Sequence, residues 1–142
     1  MSNTICVDCG QKQALPRVGT QPCLCCGGRT VTLREDYDLD RPETVFVCSP
    51  LRGDYQTNLA NAQKICRRLA TQGIVPIAPH VYFPAFLDDN KPDERRIGIR
   101  MGITLMQACN EVWFYGNTIS PGMREELLIA SRMRKPIRHK TL

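Results

Sequence analysis

The sequence predicts a small α/β fold: a flavodoxin/Rossmann-like parallel sheet of four strands with flanking helices, preceded by a zinc-ribbon head. Three observations predict it. After residue 44, short apolar runs alternate with segments of helical period, a pattern that calls for right-handed crossovers and a mostly parallel sheet. Two Cys-x-x-Cys pairs stand within the first 26 residues, each followed by glycine. Between the two regions runs Glu35-Asp36-Tyr37-Asp38-Leu39-Asp40-Arg41-Pro42, which has no apolar period and ends in proline, as a linker does. The expected division is a ribbon at 1–35, a linker at 36–43 and an α/β body at 44–142.

Within the body, Thr44-Val45-Phe46-Val47-Cys48 is an apolar run closed by Ser49-Pro50, hence a buried first strand. Asn58 to Gln72 carries Leu59, Ala62, Ile65, Cys66 and Leu69 at helical spacing and stops at Gly73. Ile74-Val75-Pro76-Ile77 reads as a second strand at a sheet edge, because proline cannot donate to a ladder. A loop from Ala78 to Asp93 gathers His80, Tyr82, Phe83 and Phe86. Arg95 to Cys109 reads as a helix weakened by Gly98 and Gly102. Glu111 to Tyr115 is the third strand, Gly122 to Met133 the third helix, and a short last strand lies around Pro136-Ile137.

The head is defined by its cysteines. Cys6-x-x-Cys9-Gly10 and Cys23-Leu24-Cys25-Cys26-Gly27 are separated by 13 residues, the layout of a zinc ribbon. Each pair brings two sulfurs to one ion across a tight turn, and the second pair closes the tetrahedron. The expected ligands are Cys6, Cys9, Cys23 and Cys26, with Cys25 spare. Disulfides are the alternative, disfavoured by a start that carries no secretory signal pattern. A segment this short buries too little apolar surface to fold alone, so structural zinc stands in for a core. A ribbon that docks a partner is the other reading. Cys48, Cys66 and Cys109 fall on a strand, a helix face and a helix end and read as small apolar residues.

Composition bounds the rest. With 42% hydrophobic and 23% charged residues and no apolar run near the length of a membrane helix, a soluble protein of the cytoplasm is expected, with no membrane partner. The formal charge of +5 falls to about +3 once four thiolates hold one zinc. Much of the excess sits in Arg132, Arg134, Lys135, Arg138 and Lys140, cations that suit a helix C-terminus or, less well, a nucleic-acid surface.

In parallel sheets the loops at the C-terminal strand ends converge. Those loops bring together Ser49, Arg52 and Gly53; His80, Tyr82 and Phe83; and Ser120, Gly122, Met123 and Glu126. Aromatic surface for a base, with hydroxyls and a guanidinium for sugar and phosphate, describes a nucleotide-sized pocket. The helix N-terminus is expected to keep Glu126 ionised.

On Ser120-x-Gly122-x-x-x-Glu126 with Leu127 and Ala130, the body from about Thr44 resembles the nucleoside 2-deoxyribosyltransferase superfamily, including its deoxynucleoside monophosphate N-glycosidase branch and uncharacterised relatives. The resemblance implies that Glu126 is the nucleophile at the anomeric carbon and that Ser120 lies near a phosphate or sugar hydroxyl. It also implies that Arg52 and Gly53 belong to the substrate loop and that His80 lines the pocket. A nucleoside or nucleotide substrate and a homo-oligomer follow in the same way. Active members carry an aspartate in the helix before the third strand and another at that strand's start, where this chain has Gly102 and Asn110. That departure keeps a second reading open, a nucleotide-binding module without turnover that docks a partner through its ribbon.

Overall fold

The structure, a computed structural model, describes residues 2–15, 21–33 and 43–142. Of the linker expected at 36–43, residues 36–42 lie outside the described residues, as do Arg34 and Glu35. In the head, β1 (Ser2–Cys6), β2 (Lys12–Leu15) and β3 (Thr30–Thr32) form an antiparallel sheet in the order β2-β1-β3. In the body, β4 (Thr44–Cys48), β5 (Val75–Ile77), β6 (Glu111–Tyr115) and β7 (Ile137–Lys140) form a parallel sheet in the order β5-β4-β6-β7. The strand that contains Pro76 is at the edge, as the missing N–H requires.

The helices begin earlier than the apolar period alone indicates, because their caps lie upstream of it. Helix α1 runs Tyr55–Thr71, started by Asp54, whose carboxylate accepts from the Thr57 N–H at 3.2 Å. After β5 comes α2 (Pro79–Tyr82) and a turn of 3-10 helix (Phe83–Ala85) inside the segment expected to be loop. Helix α3 runs Pro92–Ala108 with proline in its first turn, and α4 runs Pro121–Arg132 from the N-cap Ser120.

Strand alternation sends the two faces of the body sheet to different cores. Val45, Val47, Trp113 and Tyr115 pack with Ile65 and Leu69 of α1. Phe46, Cys48, Val112, Phe114 and Ile137 pack with Met106 of α3 and with Met123, Leu127, Leu128 and Ala130 of α4. Ile5, Val7 and Val31 of the head join this second core, so the head's apolar side closes on α4.

The C-terminal cations are mostly used inside the fold. Lys135 Nζ donates to the carbonyls of Gln107 and Cys109 at 2.9 and 2.6 Å, which caps the end of α3. Arg138 is buried against Glu111 at 3.0 Å, and Lys140 lies 4.7 Å over the Trp113 ring. Of the five, Arg132 and Arg134 are exposed. No described helix is long and apolar enough to cross a membrane.

Asn110 anchors the N-terminal end of the sheet, away from the converging loops. Its Oδ1 accepts from the N–H groups of Glu43 and Thr44 and from Thr44 Oγ1, at 2.9 to 3.0 Å. Any acceptor oxygen performs this task, so the asparagine here is structural. Asn110→Ala is expected to cost about 1–2 kcal/mol in denaturant unfolding, while Asn110→Asp retains most of that stability. Equal losses in both variants would contradict this role.

Candidate functional site

The turns after β4 and β6 leave the same sheet edge, since β4 and β6 are parallel neighbours paired from Val45↔Glu111 to Cys48↔Phe114. With α2 and α3 they enclose a cavity of about 280 Å³, the lower end of the range for small-molecule sites. Of the residues expected there, Ser49, Arg52, His80, Phe83, Ser120, Gly122, Met123 and Glu126 all line it.

Two expected residues lie elsewhere. Gly53 has φ +93° in the turn before Asp54 and serves the start of α1. Tyr82 is 66% exposed and meets Phe83 and Phe86 at centroid distances of 5.9 and 5.0 Å on the outside of the short helix. One residue step on a helix turns a side chain by about 100°, so Phe83 faces inward and Tyr82 does not.

Ser120 accepts from the Met123 N–H at 3.2 Å, an N-cap bond, and a hydroxyl that accepts one bond keeps a proton to donate. Glu126 lies in the second turn of α4, whose first turn contains no acidic residue. The helix dipole therefore does not hold it ionised as the sequence suggested. Instead, burial pushes its carboxyl up to about 7, opposed by a hydrogen bond from the Cys48 thiol. Cys48 is itself fully buried at the end of β4, and its thiol is raised well above the usual range by burial, with Glu126 adding to the shift. A carboxyl that titrates near neutrality in a cavity suits proton transfer or attack on carbon.

His80 Nε2 and Ser49 Oγ are 2.8 Å apart, and burial lowers the imidazole to about 4, so at neutral pH it is an uncharged hydrogen-bonding group. Arg52 is held by Asp89, with Nε and Nη2 at 2.9 and 2.7 Å from one carboxylate oxygen and Nη2 also at 3.3 Å from the backbone oxygen. Of the three loop aspartates only Asp89 reaches the cavity. Asp93 pairs with Arg96, and Asp88 accepts from the Asn90 N–H.

Sequence reasoning missed Arg95, which lines the cavity and whose guanidinium has no acceptor among the described residues. It placed Gly102 where an aspartate was expected, and took Gly98 only as a weak point of the helix. Arg95, Gly98, Gly102 and Met106 follow one another at three- and four-residue steps on one face of α3, and all four line the cavity. A Cβ at Gly102 would meet nothing within 4 Å, so this wall is open where the resembling family has a carboxylate.

In the head, the Sγ atoms of Cys6, Cys9, Cys23 and Cys26 all lie within 4.8 Å of one another, close enough to hold a metal ion. The donor set is four sulfurs, the arrangement that selects zinc or an iron centre over hard cations. Backbone N–H groups of Asp8 and Cys9 point to Cys6 Sγ at 3.4 and 3.5 Å, and those of Cys25 and Gly28 to Cys23 and Cys26 Sγ at 3.4 and 3.3 Å. Burial works to raise the Cys23 thiol, but the N–H groups of Cys26 and Cys25 and the Gln13 amide outweigh it and bring it down to about 6. Gln13 Nε2 is 2.7 Å from that sulfur, a partner that spacing alone does not identify. Cys25 is exposed and outside the cluster.

The family described as "Domain of unknown function (DUF7768)" matches residues 43–140. No curated protein matches the chain. Among solved structures, a 2-deoxyribosyltransferase from Bacillus psychrosaccharolyticus superposes with a TM-score of 0.56 at 14% identity, covering 69% of this chain and 72% of that one. A 2-desoxiribosyltransferase from Leishmania mexicana does so with a TM-score of 0.52 at 16% identity, covering 70% and 65%. The fold of the body is thus that of the 2-deoxyribosyltransferases.

Raising a carboxyl's pKa on folding gives stability that is full below the unfolded value and is lost as pH rises through the folded one. For Glu126 that window runs from 4.5 to about 7. At about 1.4 kcal/mol per unit, Glu126→Gln is expected to stabilise the protein at pH 8 by up to roughly 3 kcal/mol and to change little at pH 4. Thermal unfolding at the two pH values checks this; the same shift at both would show that the carboxyl is not held protonated by burial.

Proposed function

We propose that this chain, which belongs to the DUF7768 family, breaks or transfers the N-glycosidic bond of a nucleoside, nucleotide or related N-riboside, with Glu126 as the nucleophile. The observation that carries the reading is a half-buried glutamate lining a nucleoside-sized cavity, its carboxyl pushed up to about 7 by desolvation, in a body with the 2-deoxyribosyltransferase fold.

In this reading the ionised Glu126 attacks the anomeric carbon while the base departs with the bonding electron pair, and water or a second base later takes the sugar from the ester. Desolvation holds the carboxyl up, and the Cys48 thiol works against it by hydrogen bonding to the charged form. Ser120 and the Ser49–His80 pair offer uncharged hydrogen-bonding groups to sugar hydroxyls, and Phe83 offers a ring face to the base. Arg95, which has no acceptor among the described residues, is the cation assigned to a phosphate, since Arg52 is occupied by Asp89.

The second reading, a nucleotide-binding module without turnover, is favoured by one observation: the open wall at Gly102 carries no carboxylate to protonate the leaving base. The four-cysteine head is proposed to hold structural zinc, and the protein to act as a cytoplasmic homo-oligomer.

A panel of nucleosides, their monophosphates and nicotinamide dinucleotide, followed for released base, separates the readings. Release is expected from at least one compound and to fall by about 10³-fold or more in Glu126→Gln, but only slightly in Glu125→Gln. Tight binding with no release from any compound would establish the binding module, and full release from Glu126→Gln would refute the nucleophile.

Metal analysis of the purified protein is expected to give about one zinc per chain, lost together with one cysteine ligand in Cys9→Ser. A head that keeps its sheet without any metal would exclude the zinc assignment.

A further inference from the structure

Asp8 lies between the ligands Cys6 and Cys9, yet its carboxylate reaches out of the head. Oδ1 accepts from Arg124 Nε of α4 at 2.8 Å, a contact 116 residues apart in sequence. Oδ2 accepts from the backbone N–H of Arg29, just beyond the second cysteine pair, at 2.8 Å. One carboxylate therefore joins both metal-binding turns to the helix that carries Glu126. Arg29 and Arg124 together hold it below the usual carboxylate range, Arg124 contributing most.

The geometry leaves no slack. A Cβ placed on Gly28 would lie 2.4 Å from Asp8 Oδ2, so glycine there is what lets the carboxylate close on the second turn. Arg124 is two residues before Glu126, and its Nη1 also donates to Glu125 at 2.9 Å. Behind this contact, Ile5, Val7 and Val31 of the head share a core with Met123, Leu127 and Leu128 on the same helix. Both partners of the ion pair are about one third exposed, where such a bond contributes little to global stability. Its leverage is local, at the first two turns of α4.

We propose that the head is the positioning element of the Glu126 helix, with Asp8 as its latch and Arg124 as the receiver, so that metal in the head sets the order of the cavity's α4 wall. The inference rests on the metal-binding reading of the head and on the cavity as a ligand site, and it needs no particular reaction. With metal bound, the two cysteine turns hold Asp8 against Arg124. When the metal leaves, the turns lose the link that fixes Asp8, and α4 loses its brace two residues before Glu126.

Amide hydrogen exchange on the full chain tests this without any substrate. In zinc-loaded protein, Asp8→Asn and Arg124→Gln are each expected to speed exchange at Met123 to Glu126 by about two- to fivefold. The double variant should do no more than either single one, and Arg124→Lys, which keeps the cation, should recover part of the protection. Zinc content should stay unchanged in all four. Stripping the metal with a chelator is expected to speed the same amides by about tenfold or more, and to erase the difference between wild type and Asp8→Asn, while the amides of α1 stay protected.

Unchanged exchange in α4 of Asp8→Asn, with zinc still bound, would overturn the latch. Loss of protection in α1 as well as α4 on stripping would show global unfolding and overturn the metal's local role. Failure of the base-release panel leaves these outcomes untouched, so the two readings fail separately.

Discussion

Parallel pairing of β4 with β6 is the constraint on which the site depends. The register that sets Cys48 opposite Phe114 sends both strands out at one edge, so the turn after β6 starts α4 directly above the end of β4. Glu126, six residues into that helix, then comes half-buried against the Cys48 thiol at the cavity wall. Burial of this carboxyl works against folding at neutral pH, and the packing of Met123, Leu127, Leu128 and Ala130 under the same helix offsets it. Groups set for reaction are commonly held at such a cost to stability.

The head completes this picture through the opposite side of α4. Its described residues form three short strands, and Ile5, Val7 and Val31 among them find their core against the body. The four sulfurs organise the turns, and Asp8 carries that order across to Arg124.

Much of the fold was legible because periodicity reports burial directly. Thr44–Cys48 and Glu111–Tyr115 match their expected spans, and the four-strand parallel sheet with Pro76 at its edge follows from alternation and one missing N–H. Helix starts were displaced because the N-cap Asp54 and the first-turn Pro92 lie outside the apolar pattern. The cysteine cluster was legible from spacing, since the sulfurs of one pair are local neighbours. What was not legible depends on distant partners. The tie from Arg52 to Asp89 spans 37 residues, and that from Asp8 to Arg124 spans 116. Glu126 was placed correctly on the cavity, but its ionisation was read the wrong way, because a dipole is a local property and burial is not. Arg95 and Gly98 share a readable helical spacing with Gly102, but the sequence reading connected only Gly102 to the site.

The most direct measurement of the central claim is peptide mapping by mass spectrometry of protein quenched in acid during turnover of a substrate whose base is being released. The account predicts a glycosyl ester on the peptide containing Glu126, located to that residue and absent from Glu126→Gln. An adduct located instead to Glu125, Asp89 or Glu94, the other carboxylates on the cavity wall, would contradict it.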